Sequence, residues 1–278
     1  MHYLIPHFIL TRLMGILADS KNQYIKKFLI NSFIKIYRPK LEESLIVDIN
    51  DYATYNSFFT RKLKEEARPI ESSYLSVVSP VDGTIVDHGL IERNMLIQAK
   101  KHKYSLHELL GEKANKERNT PGYFITIYLA PTDYHRIHCP YEGYISSTSH
   151  IGESLFSVNE KAQVDISDLY IKNERAVMNI KGSLLSYSLV SVGASIVGSI
   201  VPFWFDKDTT VRKDFVREWR KGPEEVERQV LKGQELAYFK MGSTVIIVFE
   251  DSDKLDLHSL TTNKSVKFGS KLINLKKV

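Results

Sequence analysis

The sequence has one cysteine, Cys139, in 278 residues, so no internal disulfide can form and no cysteine-rich zinc site can be built, which fits a reducing compartment. Long hydrophobic runs are also missing. Met1 to Ala18 is rich in Leu, Ile, Met and Phe, but Pro6 interrupts it and Arg12 divides it. It falls short of the about 20 apolar residues a membrane-spanning helix needs, and it lacks the basic start and small-residue cleavage site of a signal peptide. His107-Glu108-Leu109-Leu110-Gly111 fails the His-Glu-x-x-His zinc pattern. The surroundings of Ser243 do not match the Gly-x-Ser-x-Gly nucleophile elbow, which disfavours an ordinary esterase. Internal repeats and low-complexity segments are absent. With 43% hydrophobic and 26% charged residues the chain has the composition of a globular protein.

The formal charge of +5 is mild but uneven. Residues 1–40 hold seven basic residues against Asp19 alone, a net +6, so the other 238 residues sum to −1. A basic excess at one end points to a local anionic partner and not to nucleic acid bound over the whole surface. From Asn22 to Tyr37 the apolar positions Tyr24, Ile25, Phe28, Leu29, Phe33, Ile34 and Ile36 recur at near-helical spacing with lysines between them. Such a helix can pack on its own domain or lie in a membrane interface, where apolar burial and attraction to anionic lipid add. The charge asymmetry favours the membrane surface.

Leu45 to Tyr55 has the spacing of another short helix. Phe58-Phe59-Thr60-Arg61-Lys62-Leu63 follows, with two aromatics that could anchor that helix or contact a ligand. After Arg68-Pro69, β-branched runs alternate with turn signals: Val77-Val78, Ser79-Pro80-Val81-Asp82-Gly83, Tyr123 to Leu129, Gly182 to Val192 and Thr244 to Phe249. That alternation predicts a β-rich body. The division expected is 1–66, helical, and 67–278, β-rich and catalytic.

Chemistry concentrates in Tyr128 to Pro140. An apolar strand ends at Pro131, and then Asp133, Tyr134, His135, Arg136 and His138 crowd together. Such a cluster is costly to bury unless its groups find partners, so a functional loop is favoured. No second ligand cluster accompanies the histidines, and no metal is expected. Met241-Gly242-Ser243-Thr244 sets a Gly-Ser step before the apolar run Val245 to Phe249, a turn feeding a strand that presents a serine. Asp82, His138 and Ser243 stand in the order acid, base, nucleophile. A serine hydroxyl needs an imidazole to take its proton and a carboxylate to hold that imidazole's tautomer. Spacing alone does not bring them together.

Over nearly all its length the chain resembles the phosphatidylserine decarboxylases. The likeness rests on eight motifs in order: Phe58 to Leu63, Ser79 to Gly83, Tyr128 to Pro140, Leu155-Phe156-Ser157-Val158-Asn159, Asn173-Glu174-Arg175-Ala176-Val177, Val192-Gly193-Ala194, Lys232-Gly233-Gln234-Glu235-Leu236 and Met241-Gly242-Ser243-Thr244. Departures are small: Met241 where Leu is usual, Val81 for Ala, Cys139 for Met, and Glu160 where Pro is often seen.

The resemblance implies an α+β fold with a barrel-sandwich type of β-rich core and amphipathic amino-terminal helices. It also implies a proenzyme that makes its own cofactor. Ser243, activated by His138 with Asp82 behind it, would break the Gly242-Ser243 bond, leaving residues 1–242 (β chain) and 243–278 (α chain) as a heterodimer. Ser243 would become a covalent pyruvoyl group, form a Schiff base with phosphatidylserine and accept electrons as carbon dioxide leaves, giving phosphatidylethanolamine. His135 is implied as the proton donor; for Arg136 a phosphate contact, an interior salt bridge and a surface position all stay open. The partners implied are phosphatidylserine, an anionic membrane surface on the cytoplasmic side of the inner membrane, and at family level a homodimer. Two rivals remain open: a serine hydrolase or endopeptidase that keeps Ser243, and a non-catalytic lipid-binding module.

Overall fold

The computed structural model describes residues 14–98, 102–111, 121–151, 154–194, 200–203, 215–218, 228–240 and 243–276. Asn22 accepts from the Tyr24 and Ile25 amides and starts helix α1, Gln23–Tyr37, which ends where Arg38 turns left-handed ahead of Pro39. One face of α1 packs Ile30 and Phe33 against Tyr52, Tyr55, Phe58 and Phe59. Tyr24, Phe28 and Ile36 point outward at 87%, 70% and 69% exposure. Lys26, which the pattern places on the basic face, is buried instead and donates Nζ to the Asn50 and Tyr52 carbonyls.

The helix expected over 45–55 does not form as one piece. Asp48 caps a single 3-10 turn, Ile49–Asp51. Helix α2, Tyr55–Phe59, starts only at Thr54, where a capping box with Ser57 satisfies the first amides. Local hydrogen-bonding side chains thus override the apolar spacing. Glu160 opens another short helix, Glu160–Asp165, capped by Asn159; an acidic residue there complements the partial positive charge of the free amides, whereas proline suits the same position because its missing N–H would have no helical partner.

The β-rich core expected from the alternating runs is present as one curled antiparallel sheet. Its strands are β1 Gly83–Ile91, β2 Gly122–Leu129, β3 Gly143–Ile151, β4 Arg175–Lys181, β5 Ser186–Gly193, β6 Phe215–Glu218, β7 Gln229–Val230, β8 Ser243–Phe249 and β9 Ser265–Val266. They lie in the order β6-β3-β4-β5-β8-β2-β1-β9, with β7 also on β3. Strand β8 sits in the middle, pairing Ser243 with Leu129 on one side and Gly193 on the other. Successive side chains of a strand face opposite ways. Val245, Ile247 and Phe249 join Ile125, Ile127 and Leu189 on one face, while Ile246 and Val248 join Phe124 and Val190 on the other. Both faces are covered, which explains an unbroken apolar run where a half-exposed strand would alternate.

A smaller sheet pairs Glu235–Phe239 with Arg136–His138 and Ile200–Pro202. Another pairs Ser76–Val78 and Leu255–Asp256 with Lys271–Leu275. Among the described residues no helix is long and apolar enough to cross a membrane.

Candidate active site

Two chain segments converge at one end of the central sheet. After Leu129 the chain turns at once: the Ala130 amide donates to the Asp133 carboxylate at 2.8 Å and the Asp133 amide to the Ala130 carbonyl at 2.9 Å. That turn delivers His135 and then the strand Arg136–His138. The strand Glu235–Phe239 lies along it, with Tyr238 opposite Arg136 and the Phe239 amide donating to the His135 carbonyl. Only Lys240, Met241 and Gly242 then separate this strand from β8, whose first residue, Ser243, pairs with Leu129. Met241 and Gly242 lie outside the described residues. The backbone on both sides of them is therefore pinned next to the histidine segment.

His135 is 1% exposed. Its Nδ1 lies 2.8 Å from the Asp133 carbonyl, which only an N–H can satisfy, so the lone pair sits on Nε2. Nε2 is buried and has no hydrogen-bond partner among the described residues. The Phe59 ring packs on the imidazole at 4.2 Å. Burial pushes this histidine down to about 4, only partly opposed by the Asp133 carbonyl.

His138 repeats the arrangement with a different occupant. Nδ1–H donates to the Gly233 carbonyl at 2.8 Å, and Nε2 accepts from the Tyr134 hydroxyl at 3.2 Å. Phe268 stacks on the ring at 3.6 Å. Burial again lowers the pKa to about 4, with the Gly233 carbonyl working against it.

Asp82 shares no hydrogen bond with His138. Its carboxylate accepts from Arg68 Nε at 3.0 Å and Nη2 at 2.6 Å, from Lys267 Nζ at 3.1 Å and from the Phe268 amide at 2.8 Å. Burial works to raise its pKa, but the Arg68 hydrogen bonds and charge, the Phe268 amide and Lys267 outweigh it and hold the carboxyl below its usual range. Phe268 connects the two groups, its amide on Asp82 and its ring on His138. Arg136 donates to Glu235 and to the Thr60 carbonyl, with Tyr238 under its guanidinium.

Sequence reading missed Arg68, Gly233, Tyr134, Lys267 and Phe268. Tyr134 lay inside the functional cluster, and Lys232-Gly233 inside a motif. Phe268 carried no local signal, because its role exists only once segments 186 residues apart meet at Asp82, and Arg68, 14 residues from Asp82, stands in no motif that ties it to that carboxylate.

A sequence profile of the family described as phosphatidylserine decarboxylase matches residues 55–274, and a second, described as PSD, matches residues 1–38. Phosphatidylserine decarboxylase proenzyme of Alcanivorax borkumensis is 38% identical over 276 residues, 98% of this chain and 94% of that protein. The proenzyme of Ectopseudomonas mendocina is 36% identical over 98% of this chain and 96% of its own length. That of Hamiltonella defensa is 36% identical over 96% and 93%.

Proposed function

Because the chain belongs to the phosphatidylserine decarboxylase family, we propose that it cuts itself between Gly242 and Ser243, forms a pyruvoyl group from Ser243 and with it decarboxylates phosphatidylserine at a membrane surface. The supporting observation is the register at the sheet end. Ser243 begins the central strand opposite Leu129, and the residues just upstream of it run along the strand that ends in His138.

The base for cleavage is His138. Its Nδ1 proton is fixed on Gly233, so Nε2 carries the lone pair, and it takes the Ser243 hydroxyl proton once the Tyr134 hydroxyl that donates to it at 3.2 Å turns aside. The oxygen then attacks the Gly242 carbonyl carbon, the Gly242-Ser243 C–N bond breaks, and the nitrogen receives the proton, leaving an ester. Loss of the Ser243 α-proton expels the Gly242 carboxylate and leaves dehydroalanine, whose nitrogen water replaces and releases as ammonia. Asp82 acts on His138 through Phe268 and through its charge, which favours the imidazolium formed in the first step.

The pyruvoyl carbonyl supplies an electron sink when present. The orphaned, buried Nε2 of His135 fits a site that must handle a proton next to it. This ring can accept the proton that the substrate ammonium sheds and return it to the α-carbon after carbon dioxide leaves. The outward residues Tyr24, Phe28 and Ile36, beside the basic amino-terminal residues, fit peripheral docking on the cytoplasmic face of an anionic inner membrane.

Denaturing electrophoresis with intact-mass analysis tests the reading. Two chains are expected, the smaller near 4 kDa (36 of 278 residues of 32.0 kDa) and blocked to Edman degradation. Ser243→Ala, His138→Ala and Asp82→Asn should stay uncleaved, whereas His135→Ala should cleave and decarboxylate poorly. A single full-length chain in active protein would sink the proposal and leave the hydrolase reading.

A further inference from the structure

A guanidinium carries a full charge and five N–H donors, and buried charges are ordinarily paired. Arg61 departs from this. It is 5% exposed, yet its only hydrogen bond among the described residues runs from Nη2 to the Thr132 carbonyl at a long 3.3 Å. Nε and Nη1 are buried with no partner among the described residues. The carboxylates whose charge reaches it are engaged elsewhere: Asp82 and Glu43 with Arg68, Asp133 with the Ala130 amide.

Arg61 lines a cavity of about 340 Å³ together with Lys62 and Arg136. Tyr52 forms a wall, and Leu45 and Ile46, 59% and 38% exposed, form an apolar edge open to solvent. Asp51 lies at the exposed mouth. The cavity borders the histidine loop: Arg61 touches Thr132, Arg136 follows His135 directly, and Phe59, two residues before Arg61, packs on His135.

Resting on the decarboxylase reading, we infer that this cavity holds the phosphodiester of the lipid substrate, with Arg61 as its principal donor, Lys62 and Arg136 beside it, and the diacylglycerol leaving over Leu45 and Ile46. The substrate's other anionic group, the carboxylate, is a poor fit. Decarboxylation drains its charge into the sink, so a guanidinium clasping it would stabilise the ground state and oppose the reaction. The phosphodiester keeps its charge throughout, and only a Cβ and an ester oxygen separate it from the reacting α-carbon. A guanidinium fork suits its two free oxygens.

The test uses Arg61→Met and Arg61→Lys in the full chain. Because it gives up only the long hydrogen bond to Thr132 and the contact of the guanidinium with the Phe58 ring at 5.6 Å while removing a poorly paired buried charge, Arg61→Met should self-cleave normally and resist urea about as well as the parent. Its kcat/KM for dioctanoyl phosphatidylserine should fall roughly tenfold to a hundredfold, mostly in KM. Arg61→Lys should recover part of the loss. An O-alkyl serine, which keeps the free amine and carboxylate but has no phosphate, should be handled equally by parent and variant. If the KM for the lipid is unchanged in Arg61→Met, the inference is overturned. It is overturned equally if inorganic phosphate stabilises the parent thermally while lipid turnover is indifferent to Arg61, which would mark a site for free anion. Absence of decarboxylation by the parent would remove the decarboxylase reading and this inference with it.

Discussion

Removing the Arg68 guanidinium isolates the contribution of the Asp82 network. Asp82 is 1% exposed, and the Arg68 side chain is 9% exposed with Nε and Nη2 on the carboxylate. Breaking a buried pair by deleting one partner costs about 3–5 kcal/mol, since the remaining charge stays desolvated. Here Lys267, half exposed, and the Phe268 amide remain on Asp82, which places the cost of Arg68→Met near the lower end, about 3 kcal/mol. The measurement is urea denaturation of the Ser243→Ala protein, so that chain cleavage cannot confuse the transition. Asp82→Asn alone should also destabilise, because Arg68 then keeps only Glu43 and the Ala67 carbonyl. The double variant should cost less than the sum of the two by about 2 kcal/mol, a coupling well outside the roughly 0.5 kcal/mol scatter of independent sites. A cost for Arg68→Met below that scatter, or two effects that simply add, would refute the argument.

Three further outcomes follow from the same geometry. Both imidazoles are held neutral, with folded values near 4 against an ordinary 6.5; their stabilising contribution is complete above pH 6.5 and lost as pH falls through 4, about 3 kcal/mol for each. Cleavage followed by electrophoresis should accordingly stay flat from pH 7 to about 5 and fall below that, and a half-maximal rate near 6.5 would contradict the assignment of a buried base. Gly233 has φ +81°, and a Cβ there would come within 2.3 Å of Ile70 Cδ1, so Gly233→Ala should cost about 1–3 kcal/mol and slow cleavage by moving the carbonyl that orients His138. Gly89→Ala, where the added carbon meets only ordinary contacts, should cleave at the parent rate. Tyr24→Ser with Phe28→Ser, both outward-facing, should leave stability unchanged yet lower binding to anionic vesicles roughly tenfold or more in a sedimentation assay; unchanged sedimentation would discard α1 as the docking face.

Where the sequence was legible, a local rule and the tertiary outcome agreed. The amphipathic stretch read from Asn22 to Tyr37 coincides with α1, Gln23–Tyr37, and the apolar run Val245 to Phe249 read as a strand lies in β8, which the structure shows covered on both faces. The crowded stretch from Asp133 to His138 does fold into a buried segment beside the start of β8, with His135 and His138 each held by a backbone carbonyl. Legibility stopped where a residue's meaning is assigned by a distant partner. Lys26 read as a surface charge and is an interior donor to two carbonyls. Asp82 read as the direct orienter of an imidazole, but Arg68 and Lys267 occupy its oxygens, and no spacing rule connects those three positions. The 45–55 segment failed differently: its apolar periodicity was real, but Asp48 and Thr54 each offered the backbone a local hydrogen bond that restarted the chain.

The placement of residues 243–276 has a consequence for reversibility. Strand β8 is bounded by β2 and β5, β9 pairs with β1, and Lys271–Leu275 bridges Ser76–Val78 and Leu255–Asp256. A cut before Ser243 would leave a fragment with no exit except by unzipping the middle of the sheet on both sides. The uncut chain unfolds and refolds as one molecule; the cut one is a split protein whose reassembly is second order. Its denaturation midpoint should then shift with protein concentration, and dilution from denaturant should favour stranded fragments over recovered enzyme.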